Sequence, residues 1–346
     1  FFFLSALIVY TRYGITKNRT LCLWCLLLFL FGLLSKVMVM TLPLILLLLD
    51  LRNRRPWTKG MFIEKIPFFT LSIIFGIVGL FGKQQMLGVT STGDKILMAF
   101  KSTSFYFHKL LIPSHLSVVY PFPREITFLS VDFLIPVVLV SFIIICTLLL
   151  FNRNREVFFG MLFFFITVTP TFLNFAKAGE LFVASDRYVY VPAIGLFYLV
   201  SLGVWKAMSS LRKKELHLPR HILVTGTGLG LAVLALFAHL HTHAWQDDEK
   251  FFAQSLEFYP DSYVAHNNLG NALLMKGDFD GAIREYRAAV ELHPNSGRAI
   301  GNLALAYGKN GELNKAFSLI YQTLQINPRH AELHFRLGER HNSLLW

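Results

Sequence analysis

In ASDRYVYVPAIGLF (184–197) an acid, a base and two tyrosines stand directly before an apolar run. Asp186, Arg187, Tyr188 and Tyr190 are side chains suited to an anion. A guanidinium makes forked, charge-assisted hydrogen bonds to phosphate oxygens, and a neighbouring carboxylate can hold it in place. A second break of the same kind is Ser35-Lys36, which interrupts two apolar stretches, 20–34 and 37–51. Charges at the mouth of a membrane helix cost free energy unless a partner or a task holds them there. Lys177, Glu180 and the aromatic-rich VVYPFPRE (118–125) complete the polar residues that would face the same side. Cations and carboxylates converging there suit an anionic headgroup. A second reading is equally physical: Arg187 and the tyrosines anchor a helix at the interface, as aromatic belts do.

The elements that must position these residues are apolar. Hydrophobic residues make up 54% of the chain and aromatics 15%, more than a soluble domain carries. The net charge of +12 raises nucleic acid as a partner, but its distribution argues against that. From residue 251 onward 9 basic residues balance 9 acidic ones, whereas residues 1–250 carry 24 against 12, clustered between apolar runs. That is the pattern of cytoplasmic loops in a membrane protein. Candidate spans, against the ~20 residues a crossing needs, are 1–11 (cut short), the short pair 20–34 and 37–51, and 66–82, 130–151, 157–174, 188–208 and 221–243. The segment 95–112 holds Lys95, Lys101, His108 and Lys109, and fits the interface or an oblique crossing. We expect 20–34 and 37–51 to form a helical hairpin with Ser35 and Lys36 at its tip. The basic clusters 51–59, 152–155 and 206–220 are expected inside, which places that tip, 83–129, 174–187 and everything after 243 outside. Cys22, Cys25 and Cys146 lie within apolar runs and read as packing residues. His239 and His243 share a helix face but lack a third ligand, so no metal site is expected.

The remainder is a repeat. Pro260, Pro294 and Pro328 are 34 residues apart, as are Leu269, Leu303 and Leu337. Gly277 and Gly311, Ala282 and Ala316, and Asn268 and Asn302 keep the same spacing. A 34-residue helix–turn–helix period is the tetratricopeptide signature. The expected units are about 263–296, 297–330 and a partial 331–346, behind a leading helix at 245–258. Asn268 and Asn302 recur at one position of the first helix, where stacked amides suit an extended peptide backbone. The fold class is therefore all-α: a multi-pass transmembrane bundle over 1–244, then a tetratricopeptide α-solenoid over 245–346. The chain reads as a fragment that starts within a membrane helix and stops within a repeat.

LLSKVMVMTLPLILLLLDL (33–51), EKIPFF (64–69), HKLLIPSHLSVVYPFP (108–123), SDRYVYVPAIGL (185–196) and WQDDEKFFAQSLEFYPDSYVAHNNLGNAL (245–273) follow one another in an order with a known likeness. The chain resembles the transmembrane and tetratricopeptide repeat proteins related to protein O-mannosyltransferases, closest in wording to bacterial members. The resemblance implies a GT-C-type glycosyltransferase that moves a sugar, mannose above all, from a polyprenyl-phosphate carrier to a protein hydroxyl. It implies that Lys36 and Arg187 hold the lipid phosphate and that Ser35, Glu180, Asp186, Tyr188 and Tyr190 line the pocket. Asp186 or Glu180 would orient Arg187, or bind a divalent metal where one is used. The partners implied are the membrane lipid carrier and an acceptor protein or peptide on the repeats. The family's usual catalytic Asp lies in a first external loop that precedes residue 1, so no base is assigned in 1–346. The location implied is a bacterial inner membrane with periplasmic repeats, or an endoplasmic reticulum membrane with lumenal ones. The alternative function is a non-catalytic membrane-anchored scaffold whose repeats bind periplasmic partners.

Overall fold

The computed structural model describes residues 1–81, 91–112, 120, 126–173, 176–177, 180–181, 184–213, 217–244, 247–294 and 296–326. Most of VVYPFPRE, together with Pro328, Leu337 and the partial unit 331–346, lies outside them. By its internal packing the chain forms two compact units, one of residues 1–118 and 123–223, the other of 119–122 and 224–346.

The first unit is a helical bundle. Helices α1 (Phe2–Thr16) and α2 (Arg19–Ser35) pack along each other. The chain then straightens at Lys36 (φ −159°, ψ 117°) and tightens into a 3₁₀ segment, Val37–Thr41. The second arm of the expected hairpin is therefore irregular at its start. Its α-helical part, α3 (Leu42–Arg52), begins where Pro43 supplies a helical φ and needs no partner for its missing N–H. Leu42, Pro43, Ile45, Leu46, Leu48, Leu49 and Asp50 of α3 are buried. This is a core helix, enclosed by protein on most sides. Irregular backbone at membrane depth must find its hydrogen bonds within the protein. Here Ser72 Oγ donates to the Met40 carbonyl at 2.8 Å.

Next come the short α4 (Lys59–Ile63) and α5 (Ile66–Phe81). Helix α6 (Thr92–Leu111) starts at a capping box between Ser91 and Asp94. It is followed by α7 (Val131–Leu149) and α8 (Arg155–Val168), which runs into a 3₁₀ turn, Thr169–Leu173. Ala176–Lys177 and Glu180–Leu181 form a minimal antiparallel pair, β1 and β2, with Lys177 opposite Glu180. A 3₁₀ turn, Asp186–Tyr188, leads into α9 (Tyr190–Lys213). Helix α10 (His217–Ala244) runs across the division between the units. Candidate membrane spans by length and hydropathy are 59–81, 131–149, 155–172, 190–213 and 221–240, with Phe2–Thr16 and Arg19–Ser35 as shorter apolar helices. The protein is a multi-pass membrane protein. Helix α6 is absent from these spans; its buried face carries Ser102, Thr103, Tyr106 and Lys109.

Helices α8 and α9 touch backbone to backbone. A Cβ on Gly195 would lie 2.3 Å from the Gly160 carbonyl, and one on Gly160 would lie 2.8 Å from the Gly195 carbonyl. Small residues permit this approach between membrane helices, and it fixes the base of the helix that the SDRY turn begins.

The second unit is the solenoid: α11 (Asp248–Phe258), α12 (Tyr263–Lys276), α13 (Phe279–Leu292), α14 (Gly297–Lys309) and α15 (Leu313–Ile326). Each connection follows from its residues. Ser262 and Ser296, 34 apart, cap α12 and α14 by accepting from Ala265 N and Ala299 N. Gly277 and Gly311 take φ of +85° and +82°, a conformation that glycine adopts without strain. A Cβ on Gly270 would come within 2.7 Å of the Tyr286 ring, so glycine lets α12 and α13 close on that tyrosine.

Candidate functional site

Lys36 and Arg187 are 151 positions apart in sequence, and both reach the same ring. Lys36 Nζ lies 5.5 Å from the Tyr188 ring centroid and the Arg187 guanidinium carbon lies 5.1 Å from it. Arg187 also donates to Tyr188 Oη at 3.4 Å. Partial burial and then the Arg187 charge hold the Lys36 ammonium below the usual lysine range. Like charges this close oppose each other's ionisation, and an anion between them relieves the repulsion. Among the described residues neither cation has a carboxylate ion-pair partner. The local fold explains the meeting. The extended residue at Lys36 ends α2, and the 3₁₀ turn Asp186–Tyr188 ends the segment before α9. The 3₁₀ segments 37–41 and 169–173 pack against each other.

The other expected site residues are placed as follows. Ser35 is beside Lys36, but its hydroxyl donates to the Phe31 carbonyl at 2.8 Å. Asp186 interacts electrostatically with Lys109 on α6, where burial lowers the lysine's pKa and Asp186 works in the opposite sense. Tyr190, the first residue of α9, is 73% exposed. Glu180 is described by its backbone alone, in the pair with Lys177.

Two contributors on α6 were missed from sequence. Tyr106, 1% exposed, hydrogen-bonds the Ser185 backbone N and O, both at 3.4 Å, so it braces the residue before the SDRY turn. Lys109, 9% exposed, is one turn further along. The signal was present: 102, 103, 106 and 109 share one helical face. Read in sequence alone, the lysines place 95–112 at the interface or on an oblique crossing and name no partner.

A different polar cluster lies at the far end of α3. Tyr10 donates to Asp50 Oδ2 at 2.7 Å and Tyr13 to Glu64 Oε1 at 2.6 Å. Lys65 Nζ is 2.7 Å from Asp50 Oδ2, and Arg55 reaches Asp50 at 3.5 Å and Glu64 at 2.8 Å. Arg52 pairs with Glu156 at 2.9 Å and donates to Tyr198 Oη at 2.9 Å. Opposite charges face each other throughout, so this cluster fastens helices rather than awaiting a ligand.

In the repeats the two asparagines differ. Asn302 is buried, and its amide donates to Asn267 Oδ1 at 3.0 Å and Asn271 Oδ1 at 3.3 Å. Both its hydrogens are spent joining α14 to α12. Asn268 is half-buried and accepts from Asn271 at 3.4 Å. Among the described residues no three His, Cys, Asp or Glu side chains converge as a metal-ligand set.

These features define a class: a multi-pass helical membrane protein joined to a tetratricopeptide solenoid. The tetratricopeptide repeat family model matches residues 263–296. Three relatives extend the likeness into the membrane half. Human protein O-mannosyl-transferase TMTC1 is 27% identical over 151 residues, 44% of this chain and 16% of its own length. Mouse TMTC1 is 26% identical over 254 residues, 70% of this chain and 26% of its own. Drosophila melanogaster protein O-mannosyl-transferase Tmtc2 is 30% identical over 114 residues, 33% of this chain and 11% of its own. The chain is thus a distant relative of the protein O-mannosyl-transferases. It spans between about a tenth and a quarter of the length of these relatives.

Proposed function

We propose that the protein transfers a sugar, mannose by its kinship, from a polyprenyl-phosphate carrier to a protein hydroxyl. The observation that carries this reading is the pair of cations, Lys36 and Arg187, on the Tyr188 ring without a balancing carboxylate among the described residues. In the reaction the bond between the sugar's anomeric carbon and the phosphate oxygen breaks, and its electron pair goes to that oxygen. The acceptor oxygen bonds to the anomeric carbon and gives its proton to a general base. Lys36 and Arg187 stabilise the charge that develops on the leaving phosphate, where fixed donors have their largest effect on rate. Asp186 positions Lys109.

Residues 1–244 form the membrane domain in this reading and 245–346 the repeat domain. The basic clusters 51–59 and 206–220 orient the bundle so that cation cluster and repeats face the periplasm, or the lumen in a eukaryotic host. The 3₁₀ segment and α3 together rise about 26 Å, close to the ~30 Å core of a bilayer. That length supports placing the Lys36 end at one face and the Arg52 end at the other. The repeats recruit the acceptor polypeptide, with Asn268 the amide that remains for its backbone.

The test is a transfer assay on the protein expressed from its natural reading frame, with a panel of polyprenyl-phosphate sugars. Arg187→Lys keeps the charge but loses the fork. It should lower transfer by a hundred- to thousandfold, about 3–4 kcal/mol, at normal membrane expression. Unchanged transfer would leave Arg187 as an interface anchor, because lysine snorkels equally well. No transfer from any donor by the unaltered protein would favour the membrane-anchored scaffold.

A further inference from the structure

The paired charges at the Arg52 end of α3 are ringed by cations of another kind. Among the described residues other than glycine, Lys17 and Arg54 have a positive φ, of 57° and 54°. Each follows a helix: Lys17 closes α1, and Arg54 stands two residues past α3. The left-handed region is strained for a residue with a side chain, and glycine or asparagine usually takes it. A helix C-terminus favours a cation anywhere in its last turn. Helix stability alone therefore does not put the cation on the strained residue, and such strain points to a task.

Both lie at one end of the bundle. Lys17 Nζ is 6.0 Å from the Tyr13 ring centroid and the Arg55 guanidinium carbon is 5.6 Å from it, while the Tyr13 hydroxyl donates to Glu64. Arg55 turns inward to Asp50 and Glu64, whereas its neighbour Arg54 is exposed, as are Lys17 and Lys59. Among the described residues none of these three exposed cations has an ion-pair partner. Beside them the chain presents Trp57 and Phe62, both exposed, with ring centroids 5.6 Å apart. Lys59 begins the candidate span 59–81, so this surface stands at headgroup depth whichever leaflet it faces. Unpaired cations around an exposed indole, at the mouth of a span, fit one partner. We infer that this surface binds the phosphodiesters of anionic phospholipids. Lys17, Arg54 and Lys59 each take a separate headgroup, and Trp57 with Phe62 sits at the acyl boundary. One soluble anion would meet one of these cations; a charged leaflet meets all three. The pairs formed by Asp50, Glu64 and Lys65 stay closed behind the surface and hold its shape.

The experiment follows quenching of Trp57 fluorescence, taken as the difference between the wild type and Trp57→Phe. The protein is placed in phosphatidylcholine vesicles that carry a small fraction of brominated phosphatidylglycerol or, in a parallel set, brominated phosphatidylcholine. The anionic quencher should be about fivefold enriched at Trp57, the gain that one basic residue provides at a membrane surface. High salt should weaken that enrichment. Lys17→Gly combined with Arg54→Gly removes two charges and suits the left-handed backbone. This variant should lose most of the enrichment while its unfolding temperature in pure phosphatidylcholine stays level, and Lys59→Gln added to it should abolish the rest. If the double glycine variant keeps the enrichment, the surface is not a lipid site. If it unfolds at a much lower temperature in pure phosphatidylcholine, the two cations serve the fold and the inference is overturned. Arg153→Gln removes an exposed cation from the turn between α7 and α8 and should change nothing. An equal loss of enrichment there would assign the effect to overall charge and not to this surface.

Discussion

The two ends of α3 treat charge in opposite ways. At the Arg52 end, Asp50, Arg52, Arg55, Glu64, Lys65 and Glu156 each have an opposite charge within 3.5 Å. At the Lys36 end, two cations share one tyrosine ring and have no carboxylate partner among the described residues. The first arrangement is complete without anything added. The second has no balancing carboxylate among the described residues, and in the function proposed above an anion supplies that balance. Buried charges in a membrane protein are expensive; Asp50 and Lys65 at the Arg52 end are buried, whereas Lys36 and Arg187 are exposed. What separates a fastening from a binding site is whether the charges already cancel.

The sharpest break of this comparison is at Lys65, which is 1% exposed. Lys65→Met takes the nearest cation from Asp50 and leaves it Arg55 at 3.5 Å and the Tyr10 hydroxyl, and removing one partner of a buried pair costs about 3–5 kcal/mol. Thermal unfolding in detergent should show a large loss of stability, and Asp50→Leu combined with Lys65→Met should recover most of it. If Lys65→Met unfolds at the wild-type temperature, the Arg52 end is not a fastening. Arg187→Lys and Lys36→Met, at exposed positions, should shift stability by no more than about 0.5 kcal/mol in the same assay.

A second variant sharpens the contrast by loosening the support of the SDRY turn. Gly195→Ala drives a methyl against the Gly160 carbonyl, where the space is 2.3 Å. Overpacking of this kind costs about 1–3 kcal/mol. Gly226→Ala on α10, with nothing within 4 Å, serves as the control and should be silent. Equal unfolding temperatures for the two would disprove the tight α8–α9 contact.

How much of this was legible follows from range. The repeats were read directly, since Pro260, Gly277 and Ser262 act on neighbours a few residues away and recur at 34. Lys36 and Arg187 were singled out because a charge inside an apolar run is conspicuous in one dimension. The Arg52 end was not foreseen. Tyr10 finds Asp50 40 residues away and Arg52 finds Glu156 104 residues away, and no local pattern encodes such pairings. Its basic residues were read as a loop marker, which captured their sign and missed their partners. Asn302 shows the reverse error: a correct position in the repeat, but an amide spent between helices, because burial is set by the neighbouring unit.

The smallest predicted effect lies in the repeats, which also contain a fastened charge. His266 Nδ1 is 2.7 Å from Glu285 Oε2 and Nε2 is 2.9 Å from the Pro260 carbonyl. Two acceptors require two N–H groups, so the imidazole is cationic. Burial alone would lower its pKa, but the bonds to Glu285 and Pro260 outweigh that and raise it above the ordinary value. The stabilisation is fully present below the unfolded pKa of about 6.5 and is lost as pH rises through the higher folded one. Hydrogen exchange in α12 and α13 should therefore quicken above neutral pH by about 1 kcal/mol of protection. His266→Gln should remove that pH dependence, and a wild-type profile flat across neutral pH would rule out the cationic pair.

The central claim, that one end of α3 is closed and the other awaits an anion, is tested most directly by ligand-induced stabilisation. Unfolding temperature is measured with and without farnesyl phosphate for the wild type, for Lys36→Met with Arg187→Met, and for Lys65→Met. Binding to the folded state alone raises that temperature by mass action. The account predicts a ligand-dependent rise in the wild type, no rise in the Lys36/Arg187 double variant, and a lowered baseline with the rise preserved in Lys65→Met. A rise that survives in the double variant and disappears in Lys65→Met would contradict it.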